Sequence, residues 1–144
     1  MRFESTLMAT SKSIRRAYDR SLQPLGLNLS EACLLAYVVE RGPLTQTQVA
    51  QSIGMGRAPA GSIVDTLTKR RLIQRHPDHD DRRVWLLEPT ASGRDLALRI
   101  AEVDVKLRAA LREGLGRLER QQLAATLVRL RKNLEGLLTP SDEE

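Results

Sequence analysis

The sequence has 144 residues, of which 41% are hydrophobic, 28% are charged and 3% are aromatic, with a formal net charge of +5. This length suits a single domain with an aliphatic core, and one cysteine excludes an internal disulfide framework. No apolar run approaches membrane-spanning length and Met1–Arg16 has no continuous apolar signal segment, so we expect a cytoplasmic protein with no membrane partner. The basic balance fits a polyanionic partner.

The N-terminal third of the chain predicts two helices. Apolar residues between positions 3 and 22 recur at loosely helical spacing, and Gly26 lies beyond the end of that pattern. Ser30 is the expected N-cap of the second helix, which has an apolar stripe between positions 34 and 39. Gly42-Pro43 ends this helix.

The central stretch predicts a helix, a turn and a second helix. Thr45 and Gln48 have the spacing of a capping box, and Gly54 ends the short helix that they begin. The next helix is predicted from Arg57 to Arg70, and Pro59 is tolerated because it falls in the first turn.

Two short apolar runs, Leu72-Ile73 and Val84–Leu87, flank a charged loop and predict a β-hairpin. Thr90 is the expected cap of a long amphipathic helix, which Gly114 and Gly116 interrupt. The hairpin following two helices is the order of a winged helix-turn-helix.

The last helix carries leucines at helical spacing from Leu123 to Leu137, and residues 140–144 form a polar tail expected to fray. The central unit is too small to cover the apolar stripes of the first helix and the last two, so these stripes require a second chain. We therefore expect a homodimer; the alternative is a monomeric six-helix bundle.

The predicted fold is mainly α with a small β wing (α+β), in one domain spanning residues 1–144. We expect a DNA-binding lobe at about 30–90. The dimerisation helices are expected at about 3–23 and 91–138.

The stretch from Gln51 to Thr90 resembles the MarR family of bacterial transcription regulators. The resemblance rests on a helix with Asp and Leu near its end, an Arg and a Pro in the wing, an Asp-Arg-Arg triplet, and Thr-x-x-Gly opening the next helix. These residues are Asp65, Leu67, Arg75, Pro77, Asp81, Arg82, Arg83, Thr90 and Gly93. The resemblance implies a winged helix-turn-helix regulator that binds double-stranded DNA.

Three positions depart from the family pattern. Arg71 stands where the family usually has Gly in a left-handed C-cap, which costs about 1 kcal/mol if φ stays positive. Pro89 stands where Leu is preferred, so the second strand is expected to end early. Gly116-Arg117 replaces the usual Ser-Pro cap of the last helix.

The second central helix is expected to enter the major groove, which admits one α-helix. Small residues on this helix let its backbone approach the DNA closely, and its polar side is basic. The alternative interpretation of this polar side is a solvated helix face with no partner. The first turn of the preceding helix is expected to bind a phosphate, a role compatible with capping. The predicted DNA-binding residues are Thr45, Gln46, Arg57, Ala58, Pro59, Gly61, Ser62, Thr66, Lys69, Arg70, Arg75, Arg82 and Arg83.

The wing is expected to place an arginine in the minor groove, and the resemblance favours Arg83 over Arg82. Asp81 is expected to orient a neighbouring arginine through a charge-assisted bond. Arg75 either clamps the wing or contacts a phosphate. The alternative for the Arg82–Arg83 pair is a surface ion pair.

The resemblance further implies a repressor on a pseudo-palindromic operator, released by a small anionic or aromatic effector. Arg15, Arg16 and Tyr18 are candidate effector ligands. Cys33 is expected to be a small core residue, with a redox-sensing regulator as the alternative.

The loop from His76 to Asp81 carries two histidines with flanking carboxylates. It raises the alternative of a small metal-dependent enzyme centred on His76 and His79. We expect no catalytic residue, metal or cofactor, because the loop is exposed and no nucleophilic triad, phosphate loop or paired-carboxylate pattern is present. A winged-helix domain that binds protein only is a third alternative.

Overall fold

Helices and strands follow one another in the predicted order, with one additional strand. The computed structural model describes residues 2–138. The elements are α1 (Phe3–Leu22), a 3-10 turn (Gln23–Leu25), α2 (Leu29–Arg41), β1 (Leu44–Thr45), α3 (Gln46–Ser52), α4 (Arg57–Lys69), β2 (Ile73–Pro77), β3 (Trp85–Pro89), α5 (Ala91–Leu111) and α6 (Arg117–Leu138). Contacts divide the chain into two units, residues 1–107 and residues 108–144.

The first unit has an aliphatic core. The apolar stripe predicted for α2 is buried, and Leu34, Leu35 and Val38 have no exposed surface. Val64 and Leu67 of α4 and Leu87 of β3 belong to the same buried cluster. Each such side chain contributes about 1.5–3 kcal/mol on transfer from water, so this cluster holds α4 and the wing on one scaffold.

The predicted cap of α2 was wrong by two residues. Asn28, rather than Ser30, is the N-cap: its side chain accepts a hydrogen bond from the Glu31 amide at 2.9 Å, and Glu31 accepts from the Asn28 amide at 3.2 Å. Asp19 accepts a further bond from the amide of Leu29 at 2.7 Å. The Asn28–Glu31 capping box and the Asp19 carboxylate thus pair the backbone amides of Asn28, Leu29 and Glu31. Amides at the start of a helix need such partners because they have none within the helix.

The helix-turn-helix forms as predicted. The Thr45 hydroxyl oxygen accepts a hydrogen bond from the Gln48 backbone amide at 3.1 Å, and Oε1 of Gln48 accepts one from the Thr45 backbone amide at 2.9 Å. The predicted capping box of α3 is therefore confirmed. Helix α4 ends at Lys69, one residue before the predicted Arg70.

The hairpin is longer than predicted and is part of a three-stranded antiparallel sheet of order β1-β3-β2. β1 was not predicted; Leu44 and Thr45 pair with Leu87 and Leu86. The expectation that β3 ends early at Pro89 was wrong, because Pro89 pairs with Ile73. β1 does not extend alongside Pro89, so the missing N–H of the proline breaks no ladder on that side.

The start of α5 is confirmed at Thr90, whose Oγ1 accepts a bond from the Gly93 amide at 3.0 Å. Gly114, with φ of 76°, follows the end of α5. Gly116 precedes α6 and its amide donates to Glu119 Oε2 at 2.7 Å, which replaces the family's Ser-Pro cap.

The polar tail predicted for residues 140–144 lies outside the described residues. Among residues 2–138 no single helix is long and apolar enough to cross a membrane. Only as a pair, bent by 71°, do α1 with its 3-10 turn and α2 reach the length and apolar composition of a membrane span.

Candidate nucleic-acid interface

Helix α4 has a buried face and an exposed polar face. Ala60, Val64 and Leu67 are fully buried, which turns the opposite side of the helix outward. Gly61 is half-buried, and the other predicted contact residues of α4 are exposed: Arg57, Ala58, Pro59, Ser62, Thr66 and Lys69. The outer face therefore combines two cations with small side chains, a composition that permits close approach to a polyanion.

A hydrogen-bonded cluster joins α3, α4 and the wing. Nη2 of Arg75 donates to Gln46 Oε1 at 3.2 Å and lies 3.0 Å from Asp65 Oδ1. A Cβ at Gly61 would lie 3.1 Å from Gln46 Nε2, so the glycine leaves room for the amide. Since Arg75 and Asp65 are both partly exposed, their ion pair stabilises by less than about 1 kcal/mol, and its role is to orient the wing against α4. Of the two alternatives for Arg75, this geometry favours the clamp.

Arg70 does not belong to the outer face. Its Nη1 donates to the carbonyl oxygen of Gly26 at 2.6 Å and its Nη2 to that of Leu25 at 3.2 Å. A guanidinium used in this way ties the end of α4 to the turn after α1. The geometry argues against the DNA contact expected for Arg70 and assigns it to positioning α4.

The wing loop is organised by short bonds between its own residues. Asp81 Oδ1 accepts a bond from the Arg83 backbone amide at 3.0 Å, and the Asp81 carbonyl accepts one from Val84 at 2.9 Å. The expected charge-assisted bond from Asp81 to a neighbouring arginine is present, and it goes to the backbone amide of Arg83. Arg82 and Arg83 are exposed and, within residues 2–138, form no ion pair.

This order of helices and strands has counterparts among known proteins. The sequence profile described as MarR family matches residues 25–84, from the 3-10 turn to the wing. The match spans 60 of the 144 residues, so the central part of the chain resembles this family. The chain is 26% identical over 131 residues to the uncharacterized HTH-type transcriptional regulator YhbI of Bacillus subtilis (strain 168). The aligned region covers 91% of this chain and 85% of YhbI.

Solved structures share the winged-helix fold. The MepR–DNA complex of S. aureus superimposes with a TM-score of 0.86 at 20% identity, covering 93% of this chain and 99% of that one. A probable transcriptional regulator from Pseudomonas aeruginosa is 26% identical, with a TM-score of 0.79 over 90% of this chain and 96% of that one. This chain is therefore similar in sequence and fold to transcriptional regulators.

The effector ligands expected for this chain are only partly brought together. Tyr18 Oη donates to Asp104 Oδ1 at 2.8 Å, and Arg15 Nη1 donates to Ser30 Oγ at 3.3 Å. Both side chains are thus engaged with α5 or α2. Arg16 is exposed.

Cys33 is exposed rather than in the core, which corrects the expectation from its apolar neighbours. Partial burial of the thiol raises the pKa of Cys33; the charge of Arg15 opposes this shift and that of Asp104 adds to it. A raised pKa lowers the thiolate fraction at neutral pH, which disfavours the redox-sensing alternative.

The histidine loop does not assemble a metal centre from the described residues. His76 Nε2 lies 3.0 Å from Glu88 Oε2, at ion-pair distance but without hydrogen-bond angles. In the described range, no group of three or more His, Cys, Asp or Glu is arranged to hold a metal ion. Neither His76 nor His79 belongs to such a group within residues 2–138.

Sequence reasoning missed the partner of Arg75. Asp65 was named only as a residue of the family pattern, and its bond to a residue ten positions away depends on how the hairpin folds back. The available signal was an acid on an otherwise basic helix face together with an arginine in the wing.

Proposed function

We propose that this protein is a transcription repressor that binds a pseudo-palindromic operator as a homodimer and releases it when a small anionic or aromatic compound binds. The cell compartment of such a protein is the cytoplasm, where its operator lies. The central observation is the exposed face of α4 together with Arg82 and Arg83 on the wing, which form no ion pair with any residue from 2 to 138.

The chemistry of this face suits duplex DNA. Arg57 is at the start of α4, where a guanidinium can pair with guanine in the major groove, and Ser62 lies one turn further along. The N-cap of α4 is Gly56, so no side chain occupies the amides of its first turn. These amides and the helix dipole favour a phosphate.

Apolar side chains on the terminal helices support the homodimer. Within the described residues α6 has no buried residue, and its leucines at 118, 123, 134 and 137 are half or more exposed. In α1, Phe3 and Met8 are more than half exposed. Helices with such faces gain little stability in water alone, and a second copy supplies the missing apolar partner.

Ligand response requires that the effector bind with different affinity to two arrangements of the α4 helices. The Arg70 bonds to the turn after α1 link α4 to a helix of the proposed dimer frame. A shift of α1 relative to its partner would therefore displace α4, which gives the effector a route to the DNA-reading face.

Replacing Arg83 with Ala tests the DNA contact. We expect the affinity for a duplex recovered from random-sequence DNA to fall by about 1–3 kcal/mol and the salt dependence of binding to decrease by about one phosphate contact. Fluorescence anisotropy of labelled duplex at several salt concentrations measures both quantities.

Arg99→Ala is the matched control, because it removes the same charge from an exposed position of α5. Equal losses in the two variants would show that net charge, not the wing, carries the affinity. A protein that retains no duplex at low salt would contradict the proposed function as a whole.

A further inference from the structure

Trp85, at the start of β3, is the one tryptophan of the chain and is 56% exposed. Tryptophan combines a large apolar ring with one N–H donor and is enriched at interfaces. Neither the core nor the cluster around Arg75 accounts for its side chain.

The strand register places Trp85 on the face of the hairpin that looks toward α3 and α4. Trp85 pairs with Pro77, and Leu87 pairs with Arg75 one step closer to the core. Alternate residues share a face, so Trp85 lies on the same side as the buried Leu87 and as Arg75, which contacts Gln46 and Asp65. Trp85 therefore lies between the helices and the arginines of the wing loop.

An open cleft of about 390 Å³ is lined by Arg75 and Trp85. Arg82 and Arg83 precede Trp85 in the wing loop by three and two residues, and neither forms an ion pair within residues 2–138. Arg75 is paired with Asp65, and the loop also carries Asp78, Asp80 and Asp81. The two wing arginines are therefore the groups that would attract an anionic occupant.

We propose that Trp85 packs against the sugar–phosphate backbone that separates the major groove occupied by α4 from the minor groove entered by the wing. This inference rests on the proposed function. The indole ring covers a deoxyribose and its Nε1–H donates to a phosphate oxygen, a contact that carries no base information. Trp85 is thus a positioning residue that holds the duplex against the wing.

Substitution of Trp85 distinguishes this contact from a charge contact. We expect Trp85→Ala to weaken binding about tenfold, on the recovered duplex and on an unrelated duplex alike, through lost apolar burial and one hydrogen bond. The salt dependence stays that of the wild type because no cation is removed. Trp85→Phe keeps an aromatic ring but lacks the N–H donor, so its affinity should lie between those of the wild type and Trp85→Ala.

Two controls keep the comparison sharp. Gln74→Ala alters an exposed residue on the opposite face of the same hairpin, paired with Glu88, and should leave affinity unchanged. Thermal unfolding of each variant shows whether the wing and core remain folded, and Trp85→Phe supplies a reading if the alanine variant unfolds.

Tryptophan emission of the wild-type protein gives an independent measurement, because it comes from Trp85 alone. Saturating duplex should shift the emission maximum to shorter wavelength as water leaves the ring. An unchanged spectrum, or wild-type affinity in Trp85→Ala, overturns the inference while duplex binding, followed by anisotropy, still supports the proposed function. Absence of any duplex binding by the wild type overturns both.

Discussion

Arg71 adopts a left-handed backbone conformation, with φ of 58°, directly after α4. Its amide donates to the Thr68 carbonyl at 2.9 Å, and the Leu72 amide donates to the Leu67 carbonyl at 3.0 Å. These two bonds form a Schellman motif, which normally has glycine at the left-handed position. The motif turns the chain from the end of α4 into β2. The left-handed backbone conformation of Arg71 therefore sets the direction of the wing.

Replacing Arg71 with Gly should raise the free energy of unfolding by about 1 kcal/mol, because glycine occupies this conformation without steric cost. Urea unfolding at equal protein concentration measures the change. Arg71→Ala serves as the comparison, since it removes the side chain but keeps the strain and should give no such gain. A glycine variant no more stable than the alanine variant would contradict the role assigned to the backbone.

At the level of elements, the junction between the wing and α5 joins the DNA-reading lobe to the long helix. Thr90 caps α5, and its hydroxyl also donates to the Arg71 carbonyl at 2.7 Å. Gly93 lies where an added Cβ would sit 2.0 Å from the carbonyl oxygen of Leu72. The Thr-x-x-Gly motif therefore combines a helix cap with a close backbone approach.

Gly93→Ala should lower the free energy of unfolding by about 3 kcal/mol, because the clash is with backbone that cannot move without displacing β2. Gly136→Ala is the matched control: it makes the same change in α6, where nothing lies within 4 Å of the added Cβ. Replacing a helical glycine there should stabilise by up to about 1 kcal/mol. Chemical unfolding of both variants measures the difference, and equal effects would contradict the packing described for Gly93.

Across the whole molecule, the sequence was informative where a signal is local. Apolar periodicity located the helices, and the Thr45–Gln48 box and the Thr90 cap were identified correctly because each bond spans three residues. The α2 cap was misplaced because Asn28 and Ser30 are both good caps, and the Asp19 contact that decides between them lies ten residues away.

Features that depend on distant parts of the chain could not be predicted. β1 has two residues, too few for a periodic pattern, and its partner strand lies more than forty positions along the chain. The same holds for Arg70, whose partners are 44 and 45 residues away and whose charge alone suggested DNA. For the proposed interface, residue chemistry indicated a helix face that the structure leaves exposed, but not which cations are already bonded within the chain.

The central claim is that two copies of α4 and the wing bind one duplex at a fixed spacing. Native mass spectrometry of the purified protein, alone and with the duplex recovered from random-sequence DNA, tests it most directly. We predict twice the chain mass without DNA and two chains per duplex with it, on half-sites about 10 base pairs apart. A single chain in solution, or one chain per duplex under saturating protein, would contradict the account.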